Sequence, residues 1–317
     1  MSPRASSHAT RTISDADAGQ TVAAIVRALV PDASWNKARE LCASGRVTVD
    51  GALARDGAAR VGAGQVVTVD PHGKKQLENV VTENDVVFSD ADVIVVRKPA
   101  GVLTCPYEDE DRGTLVDRVR SYLRRTTKSK DPFVGVVQRL DKDTTGLLVF
   151  ARSMRGKRSL EAQLRAHTVL RRYEALVHGE ATGEATIRSV IVQDRGDGLR
   201  GSWGTKPFHQ GEPPEDGKHA VTHVRALEVL DGATRIECRL ETGRQHQIRI
   251  HLAEAGHPLV GEAVYIRDYG GPRIEAPRPM LHARELGFEH PADGRKGHWE
   301  EPLPEDFQRV TERLRRR

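Results

Sequence analysis

The chain has 317 residues, 38% hydrophobic and 30% charged, with a formal net charge of +4. No apolar run approaches the roughly 18 to 20 residues of a membrane span, which excludes a spanning helix, and the length fits one small domain plus one large. Its three cysteines, Cys42, Cys105 and Cys238, stand far apart without a CxxC spacing, which excludes a disulfide scaffold and a cysteine-rich zinc site.

Residues 1–14 lack the apolar stretch of a secretory signal and read as a disordered leader, so a cytoplasmic setting is expected. From there to residue 72 the pattern predicts a small α+β domain. Val22, Ile25, Val26, Leu29 and Val30 form one helical stripe that ends at Pro31. Ser34 can cap a second helix with Ala38, Leu41 and Cys42 inward, which Gly45 ends. The strand Arg46–Val49 then meets the hairpin-type turn Asp50-Gly51, and Val66–Val69 is a later strand. The text SWNKARELCASGRVTVDG resembles the small RNA-binding domain named after ribosomal small-subunit protein S-four. That resemblance implies that Lys37, Arg39 and Arg46 meet RNA, with Asp50 where the family's turn usually has Asn.

Residues 73–85 are polar and read as a linker, and a second domain is expected over 86–317. Val93–Val96 is an apolar strand of the kind buried on both faces, and the chain must turn after it at Lys98-Pro99-Ala100-Gly101. Six basic residues (Arg118, Arg120, Arg124, Arg125, Lys128, Lys130) follow with no acidic one among them, and the chain ends Arg313-Leu314-Arg315-Arg316-Arg317. Each stretch fits either polyanion binding or a solvated helix face and frayed tail. Leu147–Phe150 is another buried strand, and Ser153–His167 a basic helix with Leu160 and Leu164 inward. Residues 169–177 alternate, placing Val169, Arg171, Tyr173, Ala175 and Val177 on one face of a strand; Ile236, Cys238 and Leu240 repeat that period. The Gly-, Asp- and Pro-rich stretch 193–217 reads as a surface loop.

The polar segment Gln138-Arg139-Leu140-Asp141-Lys142-Asp143-Thr144-Thr145-Gly146 lies between two apolar runs, so it is either a site or a salt-bridged turn. Its text resembles the catalytic signature of the RluA-type pseudouridine synthases, usually His-Arg-Leu-Asp followed by Thr-Ser-Gly, with Gln138 and Thr145 as departures. Further blocks match that family in order: Val95–Leu103, Arg172–Gly179, Gly217–Thr222, Leu240–Leu252, Gly256–Gly261, Pro279–Ala283 and Pro302–Pro304. The resemblance covers residues 86–307 and implies an α+β catalytic domain with a mixed, mainly antiparallel sheet and a basic cleft.

It also implies isomerisation of uridines in structured RNA, ribosomal RNA being favoured over transfer RNA, by base flipping and without a cofactor. Asp141 would be the nucleophile, attacking sugar or base; Arg249 would pair with it, and Tyr173 would stack on the uracil. Arg139 and Arg244 would touch RNA, and His246 and Gln247 would support Arg249. Two other readings remain at this level: an RNA-binding protein that has lost turnover, and a metal-dependent nucleic-acid hydrolase. No metal site is expected, because HExxH is absent and His246 and His251 are five apart, off one helical face.

Overall fold

The computed structural model describes residues 8–31, 33–54, 56–73, 81–108, 111, 113–206 and 211–315, within two compact units, Met1–Val80 and Val81–Arg317. In the first unit, β1 (Ala9–Thr12), α1 (Val22–Leu29), α2 (Trp35–Ala43), β2 (Val47–Val49), β3 (Ala52–Leu53) and β4 (Val66–Val69) give a four-stranded antiparallel sheet in the order β1-β4-β2-β3. The stripe of α1 packs with Leu41 and Cys42 of α2 on Val47, Val67 and Val69. Thr21 and Ser34 cap the two helices by accepting from the Ala24 and Lys37 amides.

Asp50 and Gly51 both have positive φ, as a tight hairpin demands. The Asp50 carboxylate accepts from the Val66 amide at 2.8 Å and from Gln65 Nε2 at 2.9 Å, so the acid in place of the usual Asn pins the hairpin to β4. The expected leader is shorter than residues 1–14: Ala9–Thr12 pairs with Val66–Val69, and Ile13 is buried in the core. Four alternating residues at a sheet edge leave too faint a period to be read from sequence alone. Residues 1–7 lie outside the described ones.

The second unit contains β5 (Val86–Ser89), β6 (Val93–Lys98), α3 (Leu115–Thr127), β7 (Gly135–Val136), β8 (Thr145–Ala151), α4 (Met154–Arg165), β9 (Leu170–His178), β10 (Glu184–Val192), β11 (Gly201–Ser202), β12 (Lys218–Leu230), β13 (Ala233–Leu240), α5 (Gln247–Glu254), β14 (Leu281–Glu289), β15 (Lys296–Glu300) and α6 (Glu305–Arg315). Its eleven-stranded sheet runs β11-β10-β12-β13-β9-β14-β8-β6-β5, with β15 on β14 and β7 on β8. Only β14 and β8 pair in parallel among the described strands, so the sheet is mixed and mainly antiparallel. One face carries α3 and α5, whose Leu115, Val119, Ile248 and Leu252 pack over Ile94, Val96, Ala175 and Ile236. On the other face α4 covers Val93, Val95 and Val149 through Leu160, and α6 covers Leu176 and Met280 through Phe307 and Leu314. That double cover is why Val93–Val96 reads as an unbroken apolar run.

The expected linker 73–85 ends early, because Val81 is buried in the core of the second unit and Thr82 caps a 3-10 turn over Glu83–Asp85; residues 74–80 lie outside the described ones. The basic stretch from Arg118 is the outer side of α3, and part of its charge is engaged locally: Arg120 pairs with Asp117, and Arg125 donates to the Val81 carbonyl. At the chain's end Leu314 is buried and Arg315 forks onto Glu228 at 2.6 and 2.8 Å, so this arginine belongs to a packed helix rather than to a frayed tail. No helix among the described residues is long and apolar enough to cross a membrane.

Candidate active site

The polar segment between β7 and β8 is tied down at successive backbone carbonyls. Leu140 O accepts from Thr104 Oγ1 at 2.8 Å, Lys142 O from Lys98 Nζ at 2.7 Å, Asp143 O from Arg278 Nη1 at 3.1 Å, and Thr144 O from Lys98 Nζ at 2.9 Å. Lys98 closes the doubly buried strand β6 and gives its third N–H to Pro99 O at 3.0 Å. Burial pushes its ammonium down to about 7, against the pull of Asp143 and Asp141. Three carbonyl acceptors match the three N–H donors of the charged form. Arg278 forks onto Asp306 of α6 at 2.6 and 3.1 Å, which carries the clamp to the opposite side of the sheet.

Gly146 ends the segment with φ +112°, and a Cβ there would lie 2.2 Å from Ala283 O. Only glycine permits this approach of β8 to β14. Thr145, a departure from the family signature, keeps its hydroxyl engaged with His282 Nδ1 at 2.8 Å.

Sheet register brings the rest together. Tyr173 on β9 stands opposite Cys238 on one side and Ala283 on the other, and Ala283 stands opposite Gly146. The loop from Asp141 to Gly146 and the Tyr173 ring therefore meet at one cleft of about 580 Å³, lined by Arg139, Asp141, Tyr173, Leu240, Ile248 and Leu281. Burial pushes the Tyr173 phenol up to about 12, so it is neutral at pH 7.

Arg249, on α5, points Nη1 at Asp141 Oδ2 over 3.7 Å. Its closer partner is Glu262, which accepts from Nε at 2.8 Å and Nη2 at 2.7 Å. Burial alone would raise the Glu262 carboxyl, but Arg249 and the Val264 and Tyr265 amides hold it below its ordinary value. The Tyr265 ring lies 5.2 Å from the same guanidinium, and its hydroxyl meets His246 Nδ1 at 2.7 Å.

The structure thus brings Asp141, Tyr173 and Arg249 together. Arg139 and Arg244 are exposed on the rim, shared with a second cleft of about 420 Å³ that Gln138 also lines. Gln247 commits its amide to Thr242 Oγ1, the Arg244 amide, Val221 O and Thr222 Oγ1, so it braces the turn before α5. Lys37, Arg39 and Arg46 belong to the first unit: Lys37 and Arg39 are exposed on α2, and Arg46 donates to Gly73 O at 3.0 Å. Sequence reasoning missed Glu262, Lys98 and Arg278. A lysine closing a doubly buried strand was a usable signal for Lys98; nothing in the text marks Glu262 as the partner of Arg249.

A carboxylate on an immobilised loop, a cation beside it and a buried aromatic ring suit a flat polar ring, with the basic rim left for an anionic backbone. A sequence model described as RNA pseudouridylate synthase matches residues 92–254. The chain is also 36% identical over 300 residues to the ribosomal large subunit pseudouridine synthase D of Pseudomonas aeruginosa, an alignment covering 91% of this chain and 90% of that one.

This chain belongs to the RNA pseudouridylate synthase family. The enzyme of the same name from Vibrio vulnificus is 34% identical over 326 residues, 97% of this chain and 94% of that one. The solved human RNA pseudouridylate synthase domain containing 4 superposes with a TM-score of 0.60 at 20% identity, covering 73% of this chain and 93% of that one, and so shares the fold. The protein is a pseudouridine synthase, an isomerase, and the readings as a binder without turnover or as a hydrolase fall away. The family match includes Asp141, Tyr173 and Arg249 and stops short of Glu262.

Proposed function

We propose that this pseudouridine synthase isomerises specific uridines of large-subunit ribosomal RNA, with Asp141 as nucleophile. The reading of the RNA follows the names of the relatives. The observation that carries the mechanism is the carboxylate of Asp141, held on a clamped loop 3.7 Å from Arg249 in the cleft that Tyr173 also lines. Its backbone is fixed by Thr104, Lys98 and Arg278, so the side chain meets substrate with little reorganisation.

A base inside a duplex cannot reach this cleft, so the uridine flips out, at a cost of a few kcal/mol that strained RNA lowers. Asp141 forms a bond to the sugar or to the uracil ring as the N1–C1′ bond breaks. The ring turns within the cleft, C5 bonds to C1′, the bond to Asp141 breaks and restores its carboxylate, the C5 proton leaves and N1 takes up a proton. Tyr173 supports the ring by stacking, and Arg249 gives the Asp141 carboxylate its counter-charge. Arg139 and Arg244 meet the RNA at the rim, and Lys37, Arg39 and Arg46 of the first unit add grip. The reaction takes place in the compartment that holds the ribosomal RNA, the cytoplasm.

Tritium release from C5-labelled uridine in large-subunit RNA, taken from cells lacking this gene, tests the assignment. Asp141→Asn keeps volume and removes the nucleophile, so binding is retained and release abolished. Substantial release by that variant overturns the mechanism.

A further inference from the structure

Arg171 is the one arginine of the cleft wall that is deeply buried, at 6% exposure, and the proposed reaction gives it no duty. It lies two residues before Tyr173 on β9 and so on the same face, roughly 6.5 Å along the strand. Its Nη2 donates to Glu241 O at 2.6 Å, its Nε has no partner among the described residues, and no carboxylate there pairs with it. The charged group of like sign that bears on it is Arg244. The acids nearby are engaged elsewhere: the Glu241 carboxylate meets His223 at 2.6 Å, and Glu161 faces Lys157 at 3.8 Å.

A buried guanidinium without a counter-ion is costly, and an arriving anion offsets that cost. Room has been made for this one. A Cβ on Gly243 would lie 2.7 Å from Arg171 Nη1, so the glycine of the turn before α5 lets the guanidinium lie beneath it. His167 Nδ1 meets the same Glu241 carbonyl as Arg171, which makes that end polar, and Arg165 lines the cleft as well, whereas Leu240, Ile248 and Leu281 make the Tyr173 end apolar. Base at one end and phosphate at the other, a ribose apart, is the layout of a nucleotide.

We propose that Arg171 is a phosphate anchor: its guanidinium takes the backbone phosphate flanking the flipped uridine and sets how deep the nucleotide enters. This rests on the reading of the cleft as the uridine site. The Nη1 N–H groups take the phosphate oxygens, a charge-assisted contact, while Nη2 stays on Glu241 O and the enclosed Nε contributes only its share of the charge.

The test is a chemical double-mutant cycle on a synthetic RNA spanning a uridine that the wild-type protein isomerises. Each linkage around that uridine is replaced in turn by a neutral methylphosphonate, and binding is measured with the Asp141→Asn protein so that no turnover intervenes. One flanking linkage should weaken binding about tenfold or more. Adding Arg171→Met should lower affinity for the unmodified RNA and erase the penalty at that linkage alone. Gly243→Ala, which keeps the charge but crowds the guanidinium, should reduce the same penalty and provides the readout if Arg171→Met does not fold. If every linkage costs the variants as much as the parent, the anchor is wrong although the uridine site stands. If Asp141→Asn still isomerises the uridine, the uridine site and the anchor fail together.

Discussion

The loop Leu140–Gly146 and helix α2 both present charge that the proposed reaction uses, and they are built in opposite ways. In the loop, carbonyl after carbonyl is held by a buried side chain, from Thr104, Lys98 and Arg278. On α2 Lys37 and Arg39 stand in solvent, and the ion pair of Lys37 is with Glu40 one turn on, at 3.0 Å. Bond making at a sugar or base tolerates little misplacement of a carboxylate, whereas counterion release asks only that cations lie near phosphates. The large unit therefore uses buried polar groups to fix geometry, whereas α2 carries surface charge, to which the proposed function gives the task of grip.

The largest effects should come from breaking the fixed side of this contrast. Arg249→Ala removes the counter-charge of Asp141 and leaves the buried Glu262 carboxylate unpaired; losing one partner of a buried pair costs about 3 to 5 kcal/mol. Tritium release should fall to background, with a lowered urea midpoint. Glu262→Gln sharpens the point, because Arg249 keeps its charge and loses only its brace. Its kcat should drop with KM nearly unchanged; an unchanged kcat would mean that Asp141 alone orients Arg249. Next in size is Gly146→Ala, which forces a side chain to φ +112° and into Ala283 O. Backbone strain alone is worth about 1 to 3 kcal/mol. A thermal midpoint equal to that of the wild type would show that β8 and β14 can part.

What the sequence made legible follows the same divide. The helical stripe at 22–30, the doubly buried run at 93–96 and the alternation at 169–177 are periodic, and they fold as read. The segment at 138–146 stood out because it is polar between apolar runs. Arg249 was found through the motif that contains it, but its closer partner Glu262 was not, since a loop glutamate thirteen residues on carries no period. Lys98 and Arg278 act on carbonyls far along the chain, a pairing that only the fold creates. The strand Ala9–Thr12 escaped because four edge residues look like the leader before them.

A graded effect comes from pH. Burial pushes His251 and His282 down to about 4, from an ordinary value of 6.5. A histidine whose folded pKa is lowered binds its proton in the unfolded chain first, so its stabilisation is complete above about 6.5 and is lost as pH falls toward 4. Each contributes a slope of at most about 1.4 kcal/mol per pH unit within that window. His178 and His246 are shifted the same way by burial and add the same sign. Urea midpoints at pH 7, 6 and 5 should fall steadily, and His282→Asn should flatten part of the slope. A midpoint independent of pH over this range would contradict the buried, neutral state of these rings.

The smallest effect on stability, and the sharpest on grip, is expected at α2. Exposed ion pairs such as Lys37 with Glu40 contribute about 0 to 1 kcal/mol, so Lys37→Gln with Arg39→Gln should leave the thermal midpoint almost unmoved. If these side chains meet phosphates, RNA affinity falls at low salt, and the slope of log affinity against log salt becomes shallower by about 0.7 to 0.9 for each phosphate that the variant no longer neutralises. Turnover at saturating RNA should stay as it was, because no residue of the first unit is assigned to the chemistry. An affinity and salt slope equal to the parent's would mean that α2 carries its charge for solvent alone. A fall in kcat would mean that the unit positions the uridine as well as gripping the RNA, and the division between fixed geometry and loose charge would then run within α2 itself.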